Sequence, residues 1–349
     1  VYYRTDGKLR FMRRVSPALL PALVARIKVI ARMDVAEHRL PQDGHARLQH
    51  GERQVDLRIS VVPTDKGESV VVRILDRAVA LRPFSQLGFP DAEMDCLRRL
   101  LSHPSGMLLV TGPTGSGKST TLYAILHEMK RANPHIITVE DPVEYDIDGV
   151  EQINIASDRG YTFAEALRHI LRHDPDVIMI GEMRDVETTR IAIKAALTGH
   201  QVLSTLHTND AVGTVNRLLD MGVEPYLLGT TLNGVVAQRL VRLICPHCRQ
   251  PEAAESPLRA QLGVGPAEAF QRGAGCVECN YTGYHGRRAV CELLSVTPAV
   301  RRLVNRNASA DEIRAAAIAA GMVPLQENAL KLARAGVTTL EEVLSTRLD

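Results

Sequence analysis

Eight consecutive residues carry the strongest chemical signal in the chain: Gly112-Pro113-Thr114-Gly115-Ser116-Gly117-Lys118-Ser119, followed by Thr120. The pattern G-x-x-x-x-G-K-[ST] is a phosphate cradle. Its glycines turn backbone N–H groups onto phosphate oxygens, the lysine holds the β- and γ-phosphates, and the serine hydroxyl ligates Mg²⁺. Thr120 opens a helix whose N-terminal dipole favours the same anion. The pattern is specific only between a buried strand and a helix. Met107-Leu108-Leu109-Val110 before it and residues 120–130 after it supply that setting. These residues predict a nucleoside triphosphate with Mg²⁺ as ligand.

Acids at two strand ends fit the same chemistry. Val177-Ile178-Met179-Ile180-Gly181-Glu182 is an apolar strand ending in a carboxylate, placed where a nucleotide hydrolase holds Mg²⁺ or orients the attacking water. Gly181 occupies the place where many such enzymes carry a metal-holding Asp, so Glu182 is the expected carboxylate. Ile137-Thr138-Val139-Glu140-Asp141-Pro142 is a second such strand, with Glu144 beyond it. Parallel strands end on one side of a sheet, which predicts Glu140 and Glu182 near the same γ-phosphate. Asp141 and Glu144 fit a turn equally well. Ser204-Thr205-Leu206-His207 closes a further strand. A lone histidine is often a packing residue, but beside the other strand ends His207 is placed to sense the γ-phosphate.

Two further groups stand outside this cluster. In the expected hairpin of residues 55–61 and 70–75, Val61 pairs with Val70, Ile59 with Val72 and Leu57 with Ile74. Arg58 and Arg73 then oppose each other on the face turned from the core. Like charges placed so are destabilising, and an anion between them removes the cost. Arg58 and Arg73 are therefore candidate arginine fingers for the nucleotide phosphates; two splayed, solvated arginines are the plain alternative. Cys245-Pro246-His247-Cys248 and Cys276-Val277-Glu278-Cys279 are two knuckles, and two such bites close a tetrahedral structural Zn²⁺ site. The long stretch between them is expected to loop out as an arm. Cys96 and Cys291 read as packing residues.

The elements that position these groups imply an α/β protein. Residues 1–80 read as an N-terminal α/β domain, with a helix over 16–33 capped by Ser16. Residues 81–90 read as a linker. Over 91–243 apolar strands (107–111, 136–140, 176–180, 201–206) alternate with amphipathic helices, which implies a mostly parallel sheet covered by helices. Residues 244–292 hold the four cysteines. Residues 293–349 are helical, with a capping box at Ser309 and Glu312. Hydrophobic residues make up 45% of the 349 and charged residues 23%, the balance of a folded globular chain. Lys and Arg exceed Asp and Glu by only 42 against 40, and aromatics are 4% with no Trp. Both disfavour nucleic acid as a partner. No apolar run approaches the roughly 18–20 residues of a membrane span, and no signal peptide is expected. The chain opens on Val1 in strand-like sequence and reads as part of a longer protein.

Together these motifs resemble the assembly ATPases of type II secretion and type IV pilus systems, within the secretion ATPase superfamily. The likeness runs from 40–44 to 338–342. It rests on the phosphate loop 112–119, an aspartate box 137–144, an atypical Walker B strand ending in 181–185 and a histidine box 198–210. Arg58 and Arg73 fall at the family's finger positions, and the four cysteines at its zinc site. The resemblance implies that the nucleotide is ATP, bound by a RecA-like P-loop ATPase domain with a smaller N-terminal PAS-like domain, a zinc-binding tetracysteine insert and C-terminal helices. It also implies a homohexamer on the cytoplasmic face of the inner membrane that drives a platform protein and binds a membrane-anchored docking protein. The N-terminal docking domain of the family is outside this chain. Pilus-retraction relatives lack the tetracysteine insert and end in an Ala-Ile-Arg-Asn-Leu-Ile-Arg-Glu helix, which is absent here. Retraction or DNA-uptake work, and a scaffold that binds ATP without useful hydrolysis, are the competing readings.

Overall fold

The structure, a computed structural model, describes residues 1–51, 53–75, 82–156, 160–253 and 257–347. The chain divides into two compact units, Val1–Arg82 and Pro83–Asp349. Among the described residues no helix is long and apolar enough to cross a membrane.

In the first unit, β1 (Tyr2–Thr5) and β2 (Lys8–Phe11) form a hairpin. A 3₁₀ turn at Pro17–Leu19 leads into the helix Leu20–Ile30, and Ser16 makes no side-chain cap bond, contrary to expectation. Strands β3 (Gln42–His50), β4 (Arg53–Thr64) and β5 (Gly67–Leu75) form an antiparallel sheet in that order. The register of β4 and β5 is the one the alternation predicts, with Val61 on Val70, Ile59 on Val72, Leu57 on Ile74 and Arg58 opposite Arg73. Strand β3 is not foreseen, because Gly44 and His45 interrupt its pattern. That glycine has a packing reason: a Cβ there would lie 2.5 Å from Ala31 O at the end of the helix. The apolar face is only partly covered. Ile59 and Val61 are buried with Val24, Ala31 and Ala46, whereas Ile74 is 69% exposed. A helix of 11 residues is about 16 Å long and covers one end of the sheet.

The second unit is built on a seven-stranded sheet. Its strands are β6 (Gly106–Thr111), β7 (Ile136–Glu140), β8 (Glu151–Asn154), β9 (Val177–Ile180), β10 (Gln201–Leu206), β11 (Leu232–Ile244) and, after the short β12 (Arg249–Pro251) and β13 (Gln271–Gly273), β14 (Tyr284–Ser295). The order is β14-β11-β6-β10-β9-β7-β8, all parallel except the β11–β14 pair. Strand alternation feeds two cores. Met107 and Leu109 face one, with the helices Phe163–Ile170, Val186–Leu197 and Ala211–Asp220. Leu108 and Val110 face the other, with Asp91–Leu101 and Lys118–Met129. Both faces of a parallel sheet are thus buried, which explains strands that are apolar throughout.

Three boundaries differ from the sequence reading. Phe84, Leu87 and Phe89, in the stretch 81–90 read as a linker, are buried in the second core; three large apolar side chains so close in sequence gain more by burial than by bridging. Residue 81 lies outside the described residues, as do 76–80 of the first domain. Strands β11 and β14 join the main sheet from segments not read as strands, because Gln238, Arg239 and Arg242 break the apolar pattern. The cysteine segment is therefore an insertion between two strands of that sheet. Nor does its middle loop out as a free arm. Val264 and Phe270 pack with Leu325, Ala329 and Leu340 of the C-terminal helices, and the buried Arg259 donates to the carbonyls of Gly265 and Glu268, each at 2.9 Å. The capping box at Ser309 and Glu312 is present.

Candidate functional site

The carboxyl ends of β6, β7, β9 and β10 lie along one edge of the sheet, with Thr111 beside Leu206 and Ile180 beside both Ser204 and Val139. Order reverses around β6, which has β10 on one side and β11 on the other. Ligands of open α/β sheets bind at such a switch point.

From β6 the loop 112–117 turns into the helix Lys118–Met129. Gly112, Gly115 and Gly117 have φ of 144°, 81° and 90°, a region that favours glycine. Gly112 is also sterically fixed, since a Cβ would meet Gln238 O at 2.4 Å. Lys118 Nζ donates to the carbonyls of Gly112 and Pro113 at 2.9 and 3.2 Å. Burial pushes the Lys118 pKa below its ordinary value; Glu182 opposes that and Arg239 reinforces it. The buried Ser116 hydroxyl oxygen has no hydrogen-bond partner among the described residues, the kind of orphan a polar ligand satisfies. Ser119 is exposed at the helix start and Thr120 half-buried. This loop, with its positive-φ glycines, inward lysine and helix N-terminus, fits a triphosphate, and Ser119 Oγ is where Mg²⁺ would be held.

Glu182 reaches this edge on a segment that continues β9. The N–H of Gly181 donates to Val139 O at 2.8 Å and that of Met183 to Thr205 O at 3.0 Å, while Thr205 Oγ1 donates to Gly181 O at 2.7 Å. A Cβ at Gly181 would lie 3.3 Å from Val139 O, a tight approach that accounts for glycine before the acid. The Glu182 side chain is 16% exposed and is bracketed by two cationic or protonatable groups. Arg184 forms an ion pair with it, and His207 Nε2 lies 3.5 Å from its Oε2. The Glu182 partner, with Asp141 also nearby, raises the Arg184 pKa. The structure thus brings Lys118, Glu182 and His207 to one place.

Glu140 behaves differently from expectation. It ends β7, but its carboxylate accepts from Tyr123, from Thr138 Oγ1 at 2.7 Å and from Gln152 Nε2 at 3.1 Å. Those partners lie on the sheet face covered by the helix Lys118–Met129. Both its oxygens are held by protein, so its geometry is that of a brace under the phosphate-loop helix. Burial and the Glu140 charge push the Tyr123 pKa far up, which keeps that phenol a donor.

Three positions escaped the sequence reading. Gln238 of β11 is buried, donates from Nε2 to Ser116 O at 2.7 Å and accepts from Thr121 Oγ1 at 2.8 Å, latching the loop to its own helix. Thr111 accepts from the Thr208 N–H at 2.9 Å and pairs with Thr208 Oγ1 at 2.7 Å, tying the turn after His207 to the strand before the loop. Arg239 Nη2 approaches Asn209 Oδ1 at 3.5 Å beside that turn. A glutamine or threonine distant in sequence carries no local signal of such a bond.

In the first unit, Arg58 is half-buried and Arg73 exposed, and His45 of β3 lies opposite Arg58 on its other side. The row His45, Arg58, Arg73 runs across the sheet on the face away from the helix. In the second unit, the Sγ atoms of Cys245, Cys248, Cys276 and Cys279 all lie within 4.8 Å of one another. Backbone N–H groups of Gly275, Cys276 and Gly283 point at the sulfurs of Cys248, Cys279 and Cys279, each at 3.2 Å. Burial works against it, but the Cys276 and Gly283 N–H donors, with the Cys276 thiol and Thr282, hold the Cys279 thiol down to about 6. Four sulfur ligands with N–H donors behind them suit a closed tetrahedral metal site. Cys291 is buried and Cys96 half-buried, both as free thiols.

Comparisons with known proteins agree over the whole chain. Residues 1–345 match a family described as type II/IV secretion system protein. Type II secretion system protein HxcR of Pseudomonas aeruginosa is 48% identical over 349 residues, which cover 100% of this chain and 71% of the relative. Type II secretion system ATPase E of Vibrio cholerae is 46% identical over 346 residues, covering 99% and 69%. The crystal structure of the pilus retraction motor PilT with bound ADP is 28% identical, with a TM-score of 0.70, and covers 100% of this chain and 90% of that one. The ATPase DotB of Legionella pneumophila, 21% identical with a TM-score of 0.70 over 97% of this chain and 86% of its own, shares the fold. With the phosphate loop, the strand-end acids and the four thiols all inside the matched segment, this chain belongs to the type II/IV secretion system protein family.

Proposed function

We propose that this chain is a motor ATPase that hydrolyses ATP to ADP and phosphate to drive pseudopilus or pilus assembly in type II secretion or type IV pilus biogenesis. The observation that carries the reading is the meeting of Lys118 and Glu182 at one sheet edge, with His207 and Arg184 on the acid. The names of the Vibrio cholerae relative, an ATPase, and of PilT, a motor with ADP bound, support it. The second unit would be the RecA-like core and the first a PAS-like domain. The working form would be a homohexamer on the cytoplasmic face of the inner membrane, engaging a platform protein and a membrane-anchored docking protein.

The residues divide the work as follows. Loop N–H groups of 114–120 and Lys118 bind the phosphates, and Ser119 Oγ would hold Mg²⁺, which when bound offsets phosphate charge. Glu182 orients water and takes its proton as the oxygen joins the γ-phosphorus and the bond to ADP breaks. His207 senses the γ-phosphate from the neighbouring strand. Glu140 fixes the loop helix through Tyr123. Arg58 and Arg73 act as arginine fingers: two cations held opposite each other by strand register suit an anion. Zn²⁺ in the four thiolates is structural.

Steady-state ATP turnover tests this. Glu182→Gln should lower kcat by about 10²–10⁴-fold, the range for losing a positioned base, with ATP still bound. Negligible turnover in both proteins would favour the scaffold reading. Arg58→Ala and Arg73→Ala should each lower turnover, by about 10³-fold or more, at unchanged nucleotide affinity; normal turnover in both removes the fingers.

A further inference from the structure

Glu292 lies in β14 opposite Ala237 of β11 and is buried, with 1% exposure. Its two oxygens go to two different helices. Oε1 accepts from the N–H of Ala211 at 2.8 Å and Oε2 from the N–H of Leu325 at 3.1 Å. These are the first residues of the helices Ala211–Asp220 and Leu325–Arg334. The first N–H groups of a helix have no intrahelical partner, and the positive end of each dipole favours a carboxylate. The helix Leu325–Arg334 depends on it, because Pro324 at its N-cap offers no side-chain bond. Burial raises the Glu292 pKa, and the two N–H donors pull against that.

The helix Ala211–Asp220 begins directly after the turn that carries His207. Its cap, Asp210, accepts from the Gly213 N–H and from Arg314 Nη2, the latter at 2.6 Å. Arg314 belongs to the C-terminal helix Ala310–Ala319. The C-terminal helices therefore grip the histidine turn twice, through Arg314 on Asp210 and through Glu292 on Ala211.

We propose that Glu292 is a positioning residue for hydrolysis. It locks the helix Leu325–Arg334 to the start of the helix Ala211–Asp220, so that the C-terminal helices set the placement of His207 against Glu182. The inference rests on the hydrolase reading above. The turn stays tied to β6 through Thr208 and Thr111, so loss of the lock shifts its helix end at Asp210 and Ala211 while the phosphate loop, held by Gln238, stays in place.

The test is Glu292→Gln in the full chain, compared with Glu342→Gln, which weakens a different buried contact of the C-terminal helices. A glutamine keeps the shape but turns an NH₂ toward one of the two N–H donors and removes the charge that strengthens both bonds, so both helix starts are loosened. A misplaced histidine turn predicts a kcat lower by about tenfold or more, with KM and ATP affinity within about twofold. Glu342→Gln should lower the melting temperature and leave kcat near wild type. Equal kcat losses in the two variants, or kcat and affinity falling together in Glu292→Gln, would overturn the proposal. Hydrogen exchange supplies a readout without turnover. Residues 211–214 and 325–328 should lose protection together in Glu292→Gln; unchanged protection in both, or loss in one alone with kcat intact, would overturn it too. A wild type that binds ATP but never cleaves it would instead overturn the hydrolase reading, and the exchange result would still decide the lock.

Discussion

Substituting Gln238 by leucine tests how the phosphate loop keeps its shape. The side chain is buried and makes two bonds, one to the Ser116 carbonyl at 2.7 Å and one from the Thr121 hydroxyl at 2.8 Å. Gln238→Leu conserves volume and removes both. Thr121 sits in a helix and can turn its hydroxyl to a backbone carbonyl one turn back, so the Ser116 carbonyl is the group left without a partner. An orphaned buried acceptor costs about 1–3 kcal/mol. The free loop will relax to avoid that cost, and binding must restore it. At 1.4 kcal/mol per decade, ADP affinity should fall by about 5- to 150-fold. Calorimetric titration with ADP reads this directly, with melting curves to show that the fold persists. ADP affinity within about twofold of wild type, in a folded Gln238→Leu protein, would refute the idea that this latch holds the loop.

Other consequences concern stability and metal. Metal analysis of the purified protein should find a single zinc per chain; Cys276→Ser or a strong chelator should remove it and lower the melting temperature, and a metal-free wild type of equal stability would count against the site. Glu342→Ala leaves Arg242 buried without its main partner, and breaking such a pair should cost about 3–5 kcal/mol in denaturant unfolding. Glu68 is held below the ordinary carboxylate value, mainly by Lys28, with burial opposing and His38 assisting. Its contribution is thus complete above the unfolded value and lost as pH falls through the lower native one. Urea midpoints against pH should show an acid loss that Glu68→Gln flattens.

The legible parts of this protein were those written in neighbouring residues. The strand–loop–helix around Lys118 is local, and each of its glycines meets a local backbone need. The hairpin register, which sets Arg58 opposite Arg73, follows from alternation because a slip of one residue would expose every apolar side chain. What stayed hidden was long-range. Strand β11 carries Gln238, Arg239 and Arg242 because its polar side chains face the loop, the histidine turn and the last helix, so no periodicity marks it. Glu140 was placed at the right strand end, but which sheet face its carboxylate takes depends on Tyr123 of the helix packed there. Glu292 looks like any acid in a strand until two helix starts converge on it. Arg58 and Arg73 show the opposite balance, with a pairing readable in advance from alternation alone.

A crystal structure with a non-hydrolysable ATP analogue and Mg²⁺ bears most directly on the nucleotide site. The expected result is a triphosphate in the loop 112–119, Lys118 Nζ moved from the Gly112 and Pro113 carbonyls onto its oxygens, and Glu182 facing the γ-phosphorus. Analogue bound elsewhere, or a γ-phosphate turned away from Glu182, would contradict the assignment.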